Sequence, residues 1–124
     1  MSTEHFKQKL QEELKVVEEE LKTVGRKNPD VAEDWEAQVK DTDSASTESD
    51  EKADKFEEYE QNAAILNPLE LRWRDIKRAL RKIEDGTYGT CEISGDKIEE
   101  ERLQANPAAR TCEKHLDEEK NLPL

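Results

Sequence analysis

The chain has 124 residues, of which 32% are hydrophobic and 42% charged, with a formal net charge of −12. That is too little apolar material for a large core with a shaped substrate cavity, and it suits an elongated helical hairpin that buries a narrow seam. No apolar run approaches the roughly 20 residues of a membrane span, and the stretch MSTEHFKQKL lacks a signal-peptide core, so the chain reads as cytoplasmic with no membrane partner.

Residues 2–24 carry Phe6, Leu10, Leu14, Val17, Leu21 and Val24 at steps of three and four, one apolar stripe on a helix with lysines and glutamates elsewhere. Ser2 or Thr3 is placed to cap its start. Gly25 follows the last stripe residue as a stop, and Pro29 prevents continuation.

From Gly25 to about Thr47 the periodicity fades, and the run KDTDSASTESD is polar, acidic and rich in turn formers, which predicts a solvated loop. Trp35 either folds back onto a helix end and anchors this loop or stands exposed as a partner contact. From Asp30 to Glu60 there are thirteen acids against Lys40, Lys52 and Lys55. Such a surface repels phosphates, so direct nucleic acid binding is excluded; it suits a basic protein surface or a site holding a metal ion.

Periodicity returns at Phe56, Tyr59, Ala63, Leu66, Leu69, Trp73, Ile76, Leu80 and Ile83, a second seam with Ser49 and Asp50 as caps. Asn67-Pro68-Leu69-Glu70 pairs a cap with a proline at the first helical position, so the helix is expected to kink or restart there. Two stripes joined by a long loop predict an antiparallel hairpin whose second arm, at about 1.5 Å per residue, is the longer.

After Glu84 the pattern changes. Asp85-Gly86-Thr87-Tyr88-Gly89 and Ser94-Gly95-Asp96 are tight turns, short strands are expected around Ile93 to Ile98, and Leu103 with the nearby alanines suits a small helical cover. Cys91 and Ser94, then Cys112 and His115, are two pairs at the spacing of a zinc ribbon, C-x2-S-x17-C-x2-H. Such pairs work because a tight turn aims two side chains at one ion, and a second pair completes the tetrahedron. Cys91 and Cys112 offer thiolates and His115 an imidazole nitrogen. Ser94, a neutral hydroxyl with shorter reach, is a poor fourth ligand, so the zinc is expected to be weakened or lost. A disulfide between the two cysteines is disfavoured in a reducing compartment. Three ligands, an open place and Glu92 as acid-base partner would also describe a catalytic zinc, but the missing core argues against an enzyme. His5, on the first helix, is expected to be a solvated surface residue.

ALRKIEDGTYGTCEISGDKIEEERLQANPAARTCEKH resembles the C-terminal finger of the DksA/TraR family: a helix running into Gly-Thr-Tyr-Gly, the first pair, Gly-x-x-Ile, Arg-Leu-x-Ala-x-Pro and the second pair. The resemblance covers Ala79 to His115 closely and extends loosely up the helix ADKFEEYEQNAAIL. It implies a zinc-finger transcription regulator that binds RNA polymerase rather than DNA, with a hairpin entering the secondary channel and acidic residues near the catalytic magnesium. The family's four cysteines are reduced here to Cys91, Cys112 and His115. Its tip motif Asp-x-x-Asp-x-Ala is echoed only at Asp50-Glu51-Lys52-Ala53-Asp54 and at Asp41-Thr42-Asp43-Ser44-Ala45.

The expected protein is mainly α: an antiparallel helical hairpin, or coiled coil, over residues 1–84 with an acidic loop near 26–48, and a degenerate zinc-ribbon-like finger and tail over 85–124. Its expected work is non-enzymatic regulation of RNA polymerase by a cytoplasmic monomer, with Cys91, Cys112 and His115 on one zinc ion and Asp50 and Asp54 as the partner-binding acids. The alternative is a coiled-coil adaptor with a vestigial, metal-free finger.

Overall fold

In a computed structural model, residues 3–31, 34–39 and 49–123 are described. The element order is α1 (Glu4–Val24), β1 (Gly25–Lys27), β2 (Trp35–Ala37), α2 (Ser49–Asp85) and α3 (Glu100–Ala105), followed by a 3-10 segment, Glu113–Asn121, interrupted at His115. Two compact units share the helices: residues 17–72 form one, and residues 1–16 with 73–124 form the other. Both helices cross the division: residues 4–16 of α1 and 73–85 of α2 lie in the second unit, and residues 17–24 of α1 and 49–72 of α2 in the first.

In the 17–72 unit, Val17, Leu21 and Val24 of α1 are buried, as are Trp35 and Leu66. Residues 25–37, where the periodicity fades, form a small hairpin, while most of the run expected to be a solvated loop, residues 40–48, lies outside the described residues. β1 pairs antiparallel with β2 in the register Gly25↔Ala37, Arg26↔Glu36 and Lys27↔Trp35, and the Gln38 N–H donates to the Val24 carbonyl at 2.9 Å. Strands of three residues leave no periodicity to detect. Gly25 is where α1 ends, but its role is close approach: a Cβ there would run into the Glu36 carbonyl and the Leu66 side chain. Trp35 is buried as an anchor, and its backbone N–H donates to Glu70 Oε1 at 3.3 Å. The Asn62 side chain donates to the Gln38 carbonyl at 2.9 Å, tying the hairpin to α2. The Asp41–Ala45 echo of the tip motif lies outside the described residues.

α2 runs through Pro68 as one helical element and does not restart there. Phe56 and Tyr59, expected in the buried seam, are 64% and 45% exposed. Helical spacing marks an apolar face, but burial also needs a cover. α1 has 21 residues against 37 in α2, roughly 32 Å against 56 Å at 1.5 Å per residue, so part of the long helix outruns its mate.

In the other unit, Phe6 and Leu10 of α1 are buried, with Trp73, Ile76 and Ala79 of α2. Phe6 also joins a cluster with Cys91, Ile98, Leu103, Ala109 and Cys112, against which Tyr88 packs. The first helix thus contributes a ring to the core of the finger. Among the described residues, no helix is long and apolar enough to cross a membrane.

Candidate metal centre

α2 stops where its carbonyls are recaptured by the following turn. The Gly86 N–H donates to the Ile83 carbonyl at 3.3 Å and the Thr87 N–H to the Lys82 carbonyl at 2.9 Å, with Gly86 at φ 78°. This paired closure needs a left-handed residue, which glycine supplies without a Cβ penalty. The chain then makes a short β-bridge, Thr90↔Lys97, around the first knuckle. The Cys91 N–H donates to the Asp96 carbonyl at 2.8 Å and the Gly95 N–H to the Cys91 carbonyl at 2.9 Å. Helix α3 covers the core with Leu103, and Asn106 to Arg110 lead to the second knuckle, where the His115 N–H donates to the Cys112 carbonyl at 3.0 Å.

These turns bring the three sequence-nominated ligands together. Cys91 Sγ lies 3.8 Å and Cys112 Sγ 3.2 Å from His115 Nδ1, and the three donor atoms are all within 4.8 Å of one another. Zinc–sulfur bonds of about 2.3 Å and zinc–nitrogen bonds of about 2.0–2.1 Å put tetrahedral neighbours roughly 3.5–3.8 Å apart. The cluster is of that size and its donors are of zinc's preferred type, so the residues present fit the ion. Cys91, Cys112 and His115 would hold it, and the ion would supply folding free energy as a cross-link between two loops. The thiols themselves are buried. Burial pushes the Cys91 thiol up, but hydrogen bonds from Ser94 and from the Cys112 and Ile93 amides outweigh it and bring it down to about 6.

Ser94 is exposed, with its Oγ 3.9 Å from Cys112 Sγ and accepting the Asp96 N–H at 3.3 Å. His5 is exposed beside the Phe6 ring and outside the donor cluster. Asp54 is exposed on α2, and Asp50 lies in the helix's first turn.

Glu92 is not placed to be an acid-base partner. Its carboxylate takes Arg110 Nε at 2.7 Å and Nη2 at 2.9 Å, and Lys82 Nζ sits at 2.8 Å. Burial pushes the carboxyl up, yet the hydrogen bonds and charges of Arg110 and Lys82 hold it down at about 2. The backbone adds a bond across the same gap, from the Glu92 N–H to the Arg110 carbonyl at 2.9 Å. A second tie uses Arg102, which donates to the Thr111 carbonyl at 2.6 Å and to Glu119 Oε2 at 3.1 Å, while Glu119 Oε1 accepts the Arg110 N–H at 2.5 Å. Charged residues this common in the sequence gave no signal for either network. The only hint was the position of Arg102 in the Arg-Leu-x-Ala-x-Pro string. The Tyr88 hydroxyl donates to the Pro107 carbonyl at 2.7 Å, and burial raises its pKa to about 12.

Residues 86–113 match the family model of the prokaryotic dksA/traR C4-type zinc finger. The match ends short of His115, and of the three ligand positions within it Cys91 and Cys112 are cysteines and Ser94 is not. The chain is 43% identical over 63 residues to the uncharacterized protein YteA of Bacillus subtilis, covering 49% of this chain and 26% of that protein. It is 34% identical over 93 residues to the RNA polymerase-binding transcription factor DksA of Salmonella typhimurium, covering 66% of this chain and 62% of that one. The chain thus spans about a quarter of the first relative and under two thirds of the second. In fold it resembles the transcription factor DksA2 of Pseudomonas aeruginosa, with a TM-score of 0.55, 23% identity, and coverage of 93% of this chain and 74% of that structure. Carried by the string that builds the two knuckles, the assignment is that residues 86–113 form a zinc finger of the DksA/TraR type.

Proposed function

We propose that the chain is a non-enzymatic transcription regulator that binds RNA polymerase directly. On this reading the acidic hairpin enters the secondary channel and directs Asp50 and Asp54 at the polymerase interior. The finger secures the base of the hairpin, with one zinc ion on Cys91, Cys112 and His115.

The observation that carries the proposal is the extent of similarity to a relative named as an RNA polymerase-binding transcription factor: 34% identity over 93 residues, well beyond the finger itself. Electrostatics agree in sign. The thirteen acids between Asp30 and Glu60 suit a basic or metal-containing protein surface and repel a nucleic acid backbone.

The test is a pull-down of purified bacterial RNA polymerase by the full chain at low salt, repeated with Asp50→Ala/Asp54→Ala. Binding by the wild type that weakens in the double variant and with rising salt supports the proposal. No binding even at low salt removes it in favour of the adaptor reading.

A further inference from the structure

The chain has six aromatic residues, two each of Phe, Tyr and Trp. Four of them build cores: Phe6, Trp35 and Trp73 are buried, and Tyr88 packs against the finger cluster. The other two, Phe56 and Tyr59, are both exposed, at 64% and 45%, and both lie on α2. Three residues apart, they are neighbours on one face of the helix. Neither ring serves the fold by burial, and both residue types are weaker helix formers than alanine, leucine or glutamate.

The 17–72 unit leaves this face clear of its own packing. α1 gives way to β1 at Gly25, which lies against Leu66, and the Asn62 side chain donates to the Gln38 carbonyl at 2.9 Å. Both contacts fall after Tyr59 in α2, so the two rings precede the stretch of helix that the small hairpin covers. The charge around them is mostly of one sign. From Ala53 to Glu60, Asp54, Glu57, Glu58 and Glu60 are exposed against the single cation Lys55.

These carboxylates select what the rings can meet. A second copy of the chain, itself at −12, would set them against their own counterparts, and a nucleic acid would add phosphates. A protein surface with an apolar recess and a rim of Arg and Lys complements both the rings and the charge.

We propose that Phe56 and Tyr59 are the docking anchor of the hairpin: the two rings enter an apolar recess on RNA polymerase, and Glu57, Glu58 and Glu60 meet a basic rim around it. In such a contact the aromatic anchors carry most of the affinity, while the rim charges steer and orient. This inference rests on the polymerase-binding reading, to which it adds the anchoring residues and the chemistry of the surface that receives them.

The test measures binding of the full chain to purified bacterial RNA polymerase across a range of salt. It compares the wild type with Phe56→Ala/Tyr59→Ala, Tyr59→Phe and Glu57→Gln/Glu58→Gln/Glu60→Gln. The aromatic double variant is expected to lose roughly thirtyfold or more in affinity while keeping the wild-type salt dependence and urea midpoint. Tyr59→Phe should bind as the wild type does, because the ring and not the hydroxyl fills the recess. The glutamine variant should show a flatter salt dependence.

Wild-type affinity in Phe56→Ala/Tyr59→Ala overturns the anchor and leaves the polymerase-binding reading standing. A wild type that does not bind at low salt overturns that reading and the anchor with it. A lowered urea midpoint in the aromatic variant overturns the anchor too, since the chain itself then covers the rings. So does a wild-type dimer that this variant abolishes, since the rings then serve a second copy.

Discussion

Arg110 grips Glu92 with two nitrogens, Nε at 2.7 Å from one carboxylate oxygen and Nη2 at 2.9 Å from the other, and so joins the residue after the first knuckle cysteine to a residue just before the second. A bidentate, partly buried pair of this kind is stronger than a surface ion pair, and removal of one member leaves the other charge stranded. In a finger with a depleted ligand set, this pair is a second cross-link along the same path as the metal.

Arg110→Met is therefore expected to destabilise the finger by roughly 2–3 kcal/mol, and Glu92→Gln by somewhat less because the amide still accepts hydrogen bonds. Urea unfolding of the two single variants and the double variant checks this, with a coupling energy of about 1 kcal/mol or more expected. The effect should be larger with a chelator present than with zinc, since either cross-link partly compensates for loss of the other.

The pH dependence follows from the same carboxylate. Glu92 lies near 2 in the folded chain against an ordinary value of 4.5, so the unfolded state takes up its proton first as the solution is acidified. The stability it contributes is complete above the ordinary value and is lost as pH falls from about 5 towards 2. Since the side chain is partly exposed, screening brings the contribution to about 2 kcal/mol. Unfolding of the chelated protein across this range should show the loss, and Glu92→Gln should flatten it. Chelation keeps proton competition for the metal ligands out of the comparison.

Phe6 belongs to the finger as much as to its own helix, packed with both cysteines and with its ring centroid 5.7 Å from that of Tyr88. Phe6→Ala should cost about 3–5 kcal/mol in stability. It should also weaken zinc binding, because the ion's folding free energy is spent reordering a core with a missing ring. His5→Ala, which changes the exposed neighbour, should do neither. Denaturant unfolding and competition with a zinc chelator give the two readouts.

How much of this was legible in the residues depends on whether a local rule governs them. Leu10, Leu21, Trp73 and Ile76 recur at helical spacing and are buried, and the two knuckle pairs, set by turns a few residues long, bring Cys91, Cys112 and His115 to one place. Phe6 carried only part of its message: the stripe predicted its burial, but nothing local says that a ring at position 6 closes against a cysteine at 91. The same holds for Glu92 and Arg110, two charges among many, selected only by the folded path. At Trp35 the strand pairs are three residues long, below the length at which alternation is visible.

Gly25 gives a separate test in the other unit, since its lack of a side chain admits the Glu36 carbonyl and the Leu66 side chain. Gly25→Ala should destabilise by roughly 1–3 kcal/mol through overpacking, despite the better helix propensity of alanine at a helix end. Hydrogen exchange should locate the loss at the Gln38 amide, which donates to Val24, with the finger amides unaffected.

The distal seam of α2 supplies the sharpest contrast with the periodic pattern. Phe56 and Tyr59 continue the heptad-like spacing of Trp73 and Ile76, but the first pair is exposed and the second buried. If spacing alone set the energetics, all four would cost several kcal/mol when truncated. Burial predicts otherwise: Phe56→Ala and Tyr59→Ala should change stability by no more than about 0.5 kcal/mol each, while Trp73→Ala should cost about 3–5 kcal/mol. Matched urea unfolding of the three variants decides the point. A loss of 2 kcal/mol or more at Phe56 would mean that this face is covered in solution, and dependence of that loss on protein concentration would identify the cover as a second chain.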